Sequence, residues 1–176
     1  MPYSSIAISG LVASGTSTAA KNVSKELNLK HHSAGDFFRK YALENNIPLH
    51  DKEQIPDNLD KKIDADLKEL ARKGGVVIDG DYIGYFTRDL PNVLKVLITC
   101  DYHERIKRAL SRKSTHDETE EEIKLREDGL DKKFRRLYEN VYFQDPKFFD
   151  LIIDNTSLTP QQVGQKILTA FKNKSA

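Results

Sequence analysis

The sequence predicts an α/β fold of three layers, in which a parallel sheet of about five strands carries helices on both faces. Short apolar runs alternate along the chain with longer segments whose apolar residues recur every three or four positions. Such runs are typical of parallel strands buried on both faces, and the amphipathic segments are typical of the helices that cover them. A glycine-containing turn directly follows the first run. We therefore expect a ligand site beyond the carboxyl ends of the strands.

Length and composition favour a single domain without a membrane partner. The chain has 176 residues, and its 28 basic residues nearly balance 27 acidic ones. The balanced charge argues neither for nor against nucleic acid, which is not among the partners we expect. The lone Cys100 excludes an internal disulfide framework, and because it ends an apolar run we expect it to be buried. The apolar runs are far shorter than a membrane span, and no secretory leader is evident. These features predict a cytoplasmic protein, which we expect to be monomeric.

The first strand, at 6–9, and the loop after it are the strongest motif in the chain. Two glycines five residues apart precede hydroxyl residues and a segment with helical spacing at about 15–27. This strand–loop–helix pattern is typical of a P-loop, in which backbone amides and a helix N-terminus hold a nucleotide phosphate. The residues expected to bind the nucleotide are Gly10, Ala13, Ser14, Gly15, Thr16, Ser17 and Thr18. Thr16 stands where such loops usually have lysine, and the alternative is a turn that binds nothing.

The middle of the chain predicts a short extended return, two helices and a buried strand. The return, at 28–32, leads into a helix that Ser33 or Asp36 can cap. An irregular stretch at 45–58 with two prolines follows, and then an amphipathic helix at 57–73 that ends at paired glycines. The strand at 76–78 ends in Asp79.

The second half predicts two more strands and three more helices. A strand at 94–100 leads into a helix that Asp101 caps, and a polar segment at 114–122 is expected to form a mobile flap. A longer helix carries a core-facing stripe, and a strand at 151–155 precedes the last helix at 160–171. The stripe of the longer helix consists of Ile123, Leu130, Phe134, Leu137 and Val141.

Two sets of polar residues are candidates for phosphate chemistry. Asp79 ends its strand as a Walker-B-like carboxylate does, so with Ser17 it is the expected ligand of a nucleotide-bound Mg²⁺; the alternative is a helix cap or turn former. A helical face of arginines, with one more beyond the flap, suits a lid that closes on a transferring phosphate; the alternative is a solvated face with local ion pairs. These arginines are Arg105, Arg108, Arg112 and Arg126. The pair His31–His32 is expected to be structural, because it has no metal-ligand spacing.

The ordered set of motifs resembles the nucleoside monophosphate kinases, and specifically the archaeal-type cytidylate kinases. Residues 10–18 resemble the loop of that family, which itself lacks the lysine, and 33–39 resemble its acceptor motif Ser-Ala-Gly-x-x-x-Arg. The segments at 69–80, 95–100, 105–108, 126–127 and 149–156 are similar to its later blocks. The resemblance implies ATP and Mg²⁺ as cofactors and CMP or dCMP as acceptor. It divides the single domain 1–176 into a core (1–36, 74–113 and 141–176), an acceptor-binding helical insertion at about 37–73, and a lid at about 112–126.

The acceptor side departs from the family at several positions. The family's acidic-Gly-Arg reads Asp79-Gly80-Asp81 here, so an anion replaces a cation that grips phosphate. Ala65 and Asp66 stand where the family tends to have arginines, and Leu130 and Lys133 replace an acidic and a basic residue. We expect Asp81 to face the acceptor, with Arg39 retained and Lys133, Arg136 or Arg88 as compensating cations. The residues implied for the acceptor are Ser33, Gly35, Asp36, Arg39, Asp79, Gly80, Asp81 and Lys133. Two alternatives stay open, namely a kinase of another phosphorylated acceptor and a regulatory nucleotide-binding protein.

Overall fold

A five-stranded parallel sheet forms the centre of the computed structural model, which describes residues 2–111 and 118–175. The strands are β1 (Ser5–Ser9), β2 (Lys30–Ser33), β3 (Val76–Asp79), β4 (Val93–Thr99) and β5 (Leu151–Asp154), in the spatial order β2-β3-β1-β4-β5. In the central strand, Ile8 lies opposite Asp79 on one side and Val96 on the other. The polar residues at the ends of β1, β2 and β3 therefore meet at one edge, which confirms the predicted fold class.

Seven α-helices lie in the described part of the chain. They are α1 (Thr16–Leu27), α2 (Ala34–Glu44), α3 (Asp57–Lys73), α4 (Ile83–Phe86), α5 (Tyr102–Leu110), α6 (Glu120–Leu137) and α7 (Pro160–Ser175), and a 3₁₀ turn spans Lys52–Gln54. None of the helices described is both long and apolar enough to cross a membrane.

The side chains of β1 alternate between two apolar cores, one on each face of the sheet. Ile6 and Ile8 pack with α1 and α7, while Ala7 packs with α3 and α4. A third, aromatic cluster joins α4 to α6 through Tyr85, Phe134 and Phe143. The last cluster fixes α6 relative to the sheet, and this helix borders the site described below.

Local capping chemistry accounts for most of the helix ends. Ser33 Oγ accepts a hydrogen bond from the Asp36 amide and Asp101 accepts one from the Glu104 amide, as the sequence predicts. Thr119 and Glu122 form a reciprocal capping box that starts α6. Gly74 follows α3 with φ 90°, a backbone conformation that favours glycine.

The structure differs from the sequence prediction in three places. The four-residue α4 was not expected, because it is too short to show a helical period. Cys100 is half-buried, since β4 ends at Thr99 and leaves it in the turn. Helix α6 ends at Leu137, so Val141 lies beyond it. Arg112 and residues 114–117 of the expected flap lie outside the described residues.

Candidate active site

The loop between β1 and α1 curls tightly around its own backbone. Gly15 has φ 92°, and Ala13 also has a positive φ of 61°. A Cβ on Gly10 would lie 2.3 Å from Ser14 Oγ and 2.6 Å from the Ile98 carbonyl oxygen, so only glycine fits there. No side chain caps the N-terminus of α1. Its first amide groups are therefore available to an anion, as a P-loop requires.

Asp79 is the buried carboxylate at the meeting point of β1, β2 and β3. Its Oδ2 accepts hydrogen bonds from Ser17 Oγ at 2.7 Å and Ser33 Oγ at 3.1 Å. Its Oδ1 lies 2.5 Å from Nε2 of His31. The structure brings Ser17 and Asp79 together as the sequence predicts. It also gives His31 a place at the site, as a partner that orients this carboxylate.

Arg105 clamps the loop from the side of α5. Its side chain is 5% exposed, donates to the Val12 carbonyl oxygen at 2.8 Å and pairs with Glu127 of α6 at 2.6 Å. Glu127 Oε1 in turn accepts from the Val12 amide at 3.1 Å. One buried ion pair thus holds both backbone polar groups of a single loop residue, Val12. Instead of facing a phosphate, as its place on the arginine face predicts, Arg105 positions the loop.

Arg108 is held on the other side of the loop through Asn155. Its Nη1 donates to Asn155 Oδ1 at 3.1 Å, and Asn155 Nδ2 donates to the Ser14 carbonyl oxygen at 2.6 Å. The hydroxyl of Ser14 is buried without a partner among the described residues. Arg105 and Arg108 therefore contact different segments and do not form one phosphate-facing surface in this conformation.

Three cavities lie at this edge of the sheet, and the central one shares lining residues with each of the other two. The central cavity, of about 370 Å³, is bordered by the loop, by the turn after β3 and by Arg39 and Arg126. The lateral cavity, of about 330 Å³, lies between the start of α1 and Arg108, Asn155 and Pro160. The inner recess, of about 30 Å³, leads from the central cavity toward α3 and α6. Of the predicted loop residues, Gly10, Ala13, Gly15, Thr16, Ser17 and Thr18 line the central cavity and Ser14 does not.

Among the predicted lid arginines that the structure describes, Arg126 is the one that lines the central cavity. It pairs with Glu118 at 2.9 Å, and its Nε is buried without a hydrogen-bond partner in the described part of the chain. A buried guanidinium with an unused donor is ready to bind an incoming anion. The position of Arg126 agrees with the expectation for a phosphate-binding lid residue, whereas Arg112 lies outside the described residues.

The predicted acceptor residues divide between the cavity and its support. Gly35, Asp36, Arg39, Asp79, Gly80 and Asp81 line the central cavity. Ser33 instead caps α2 and donates to Asp79, and Arg39 pairs with Asp36 on its own helix.

Lys133 lines the inner recess, where other residues engage its ammonium, and its expected contact with the acceptor stays a prediction. It is 3% exposed, pairs with Asp60 at 2.5 Å and donates to the carbonyl oxygens of Lys52 and Ile55. The other proposed compensating cations are also engaged elsewhere. Arg136 pairs with Asp57 and Glu53, and Arg88 lies 3.8 Å from the ring centroid of Tyr85. Neither Arg136 nor Arg88 lines any of the three cavities.

Asp81 lines both the central cavity and the inner recess, as predicted for a residue that faces the acceptor. Its carboxylate has no hydrogen bond or ion pair within 4.0 Å among the residues that the structure describes. Burial raises the pKa of Asp81, and the positive charges of Arg126 and Lys52 oppose that rise. The sequence-based candidates for a compensating cation did not include Lys52.

Two further carboxylates of α3, Asp60 and Asp64, lie in the inner recess. Burial raises the pKa of Asp64 to about 7, although the Tyr138 hydroxyl donates to it at 2.6 Å. Burial likewise raises the pKa of Asp60, against the effect of the neighbouring Lys133 ammonium. The spacing of Asp60 and Asp64 by four residues puts both on one face of α3, but only the packing of α6 shows that this face is buried.

A family model described as the Cytidylate kinase-like family matches residues 5–157 of the chain. The cytidylate kinase of Ignicoccus hospitalis is 34% identical over 166 residues, which cover 92% of this chain and 95% of that relative. The cytidylate kinase of Archaeoglobus fulgidus is 33% identical over 175 residues, with 96% and 95% covered. A solved structure of shikimate kinase from Acinetobacter baumannii, in complex with shikimate, superposes with a TM-score of 0.64 at 16% identity and covers 99% of this chain and 96% of that one. At that identity the structural match bears on the fold alone.

Proposed function

Because the chain belongs to the cytidylate kinase-like family, we propose that it is a nucleoside monophosphate kinase that transfers a phosphoryl group from ATP to CMP or dCMP. The central cavity is the observation that supports this most directly. One end of it meets the P-loop and the lateral cavity, and the other meets the inner recess. Such a cavity can accommodate two phosphate groups between two separate nucleoside sites, which a phosphotransferase needs.

In this proposal the donor nucleotide occupies the lateral cavity and the P-loop. The free amides of α1 and the positive end of its dipole stabilise the β-phosphate of ATP. The Arg105–Glu127 pair keeps the loop in the conformation that presents its amides. Arg126 supplies charge to the transferring group, and no general base is needed because the acceptor is a phosphate oxygen that is already anionic.

Ser17 and Asp79 fit a Mg²⁺ ion, which prefers hard oxygen ligands. Their oxygens are 2.7 Å apart at the helix start, and the tight curl at Gly10 and Gly15 leaves the cradle open to phosphate. Mg²⁺, when bound, neutralises charge on the donor phosphates. His31 and Ser33 keep Asp79 oriented toward that position.

A second acceptor class is favoured by one observation. Asp81 places a carboxylate in the central cavity, where it repels a dianionic phosphate. A different nucleotide, or a phosphorylated metabolite with a donor group facing Asp81, fits such a site. This reading keeps the fold and the ATP site and changes only the acceptor.

A coupled assay of ATP consumption with CMP, dCMP, UMP, AMP and GMP tests the proposal. We expect turnover with CMP or dCMP, and loss of about 10²-fold or more in kcat for Ser17→Ala. Ser24→Ala is the matched control, because Ser24 lies on the same helix and its Oγ bonds only to the Lys21 carbonyl oxygen. Transfer to another acceptor alone supports the second class, and ATP binding without any transfer contradicts both.

A further inference from the structure

Lys52 stands out as a cation in the wall of the inner recess with no charged group bonded to it. Its ammonium has no hydrogen bond or ion pair to the described residues, and its Nζ lies 5.4 Å from the centroid of the Phe38 ring. Burial and the positive charge of Arg126 together lower the pKa of Lys52 to about 8, while the negative charge of Asp81 opposes the change. An ammonium that is partly withdrawn from water costs folding free energy unless it binds an anion.

The fold fixes the backbone that carries Lys52. The Lys52 carbonyl oxygen accepts a hydrogen bond from Lys133 Nζ at 2.8 Å, and Lys133 is itself paired with Asp60. Gly129 of α6 approaches the stem closely, since a Cβ added there would lie 3.9 Å from Lys52 Cβ. The buried Lys133–Asp60 pair thus has a function in placing Lys52, which explains why Lys133 is not in the central cavity.

The charges of Lys52 and Asp81 are complementary across the recess. Asp81 occupies the position where the family motif has an arginine, and Lys52 comes from a segment that the motif does not include. Arg39 and Arg126 line both the inner recess and the central cavity, and Lys52 lines the recess. Arg39 and Arg126 already pair with Asp36 and Glu118, whereas Lys52 has no such partner among the described residues, so its charge is available to a phosphate that enters beside Asp81.

We propose that Lys52 is a specificity-determining residue that binds the phosphate of the acceptor nucleotide and offsets the charge of Asp81. This inference rests on the proposed function, because it assumes a monophosphate acceptor. A phosphate between Lys52, Arg39 and Arg126 receives charge-assisted hydrogen bonds from all three. Asp81 then limits the affinity for any acceptor whose binding does not engage Lys52.

Equilibrium binding of CMP and of cytidine to the full chain, measured by calorimetry, tests this assignment. For Lys52→Met we expect CMP binding to weaken by about tenfold or more, while cytidine binding changes by less than about threefold. Lys52→Arg keeps the charge and should bind CMP within about threefold of the native protein. Lys40→Met is the control, because it removes one positive charge from an exposed site on α2.

The outcomes separate the inference from the function on which it rests. Equal weakening of CMP and cytidine, or no weakening of CMP, would overturn the role of Lys52 while the kinase assignment stands. A native protein that neither binds nor phosphorylates CMP would overturn the proposed function itself. Since Lys52→Met removes a partly buried charge, a melting temperature at or above that of the native protein is expected for a folded variant.

Discussion

At the residue scale, Lys52 and Asp64 line the same recess, and burial shifts their pKa values in opposite directions. Burial disfavours the charged form of each, so it lowers the pKa of Lys52 to about 8 and raises that of Asp64 to about 7. Both side chains therefore change charge near neutral pH. Lys52 should therefore make the affinity for CMP depend on pH, and Asp64 should do the same for the free energy of unfolding.

The affinity for CMP should fall as the pH rises through about 8, because Lys52 then loses its charge. The groups that face Lys52 are Arg126 and Lys133 of α6, Asp60 of α3 and Asp81 of the turn after β3. Above pH 7.5 the phosphate of CMP is already dianionic, since its second pKa is about 6. We expect the dissociation constant of CMP to rise about tenfold between about pH 7.5 and 9.5.

Lys52→Arg is the control for that profile, because an arginine stays charged throughout the range. Its CMP affinity should be constant between about pH 7.5 and 9.5, while any contribution of Asp64 remains the same in both proteins. An identical decline in the native protein and in Lys52→Arg would show that another group titrates.

Asp64→Asn should stabilise the protein at pH 8 and not at pH 4. The pKa of Asp64 is raised from 3.8 to about 7 in the folded protein, so its stabilising contribution is complete below pH 3.8 and is lost as the pH rises through about 7. A tenfold change in an equilibrium is about 1.4 kcal/mol, which puts the relative gain at pH 8 on the order of 4 kcal/mol. Urea unfolding at both pH values measures it, and a difference that does not depend on pH would contradict the shift.

The residues of the site that the sequence predicts are those fixed by local geometry. Gly10, Gly15 and Ser17 follow from the strand–loop–helix pattern and Asp79 from the end of its strand, because a tight turn and a strand end dictate where they lie. Lys52 could not be found in this way, since it belongs to an irregular segment and reaches the cavity only through the packing of α6. For His31 the sequence offered one weak signal. It is a polar residue in β2, the strand that pairs with β3, and β3 ends in Asp79.

At the element scale, α6 and α5 hold the P-loop through a buried ion pair. The side chains of Arg105 and Glu127 are 5% and 14% exposed, and both bond to the peptide groups of Val12. Removal of one partner leaves a buried charge without compensation, which is more costly than loss of the pair as a whole.

Arg105→Met should therefore destabilise the protein by about 3–5 kcal/mol and raise KM for ATP more than KM for CMP. Arg105→Met combined with Glu127→Leu should recover part of the stability, because no charge is then left unpaired. Arg72→Met is the control, since its pair with Glu69 is exposed to solvent and contributes little to stability. A variant with native stability, or one whose two KM values rise equally, would show that the pair does not hold the loop.

Helix positions were predictable to the extent that their ends carry capping residues. Ser33, Asp101 and Gly74 mark boundaries that the structure reproduces. Helix α4 is different, because its four residues are held by the aromatic cluster around Tyr85 and Phe134 and not by a helical pattern. Tertiary packing of this kind leaves no local signal in the sequence.

At the scale of the whole molecule, the proposed nucleotide sites share one sheet edge but use separate elements. The donor side consists of the P-loop, Arg108 and Asn155, and the acceptor side of α2, α3 and Lys52. The fold class and the order of the sites along the chain were predictable, because parallel strands place their carboxyl ends together. The closeness of Lys52 to Asp81 was not, since it depends on contacts between distant segments.

Each of the two ligands should stabilise the protein when the other site is empty. CMP and a non-hydrolysable ATP analogue with Mg²⁺, each at about 100 times its dissociation constant, should each add about 2.7 kcal/mol. For a chain of this size that corresponds to about 5–10 °C in Tm, measured by thermal scanning. Gly15→Val puts a β-branched side chain at a residue with φ 92° and 3.2 Å from Asn155 Nδ2, which should distort the loop. It should therefore abolish the shift from the analogue and retain the shift from CMP. A Gly15→Val protein that keeps both shifts would contradict the P-loop assignment.

Helix α6 also connects the two proposed sites. Its 18 residues form a rod about 27 Å long. Glu127 contacts the P-loop, Lys133 holds the Lys52 turn, and Arg136 reaches Asp57 at the start of α3. Glu127 and Arg136 are about 13 Å apart along the axis, so a tilt of about 5° around one end displaces the other by about 1 Å. A movement of that size is enough to break a hydrogen bond. A tilt of α6 on binding of one substrate therefore changes the contacts that the helix makes at the site of the other.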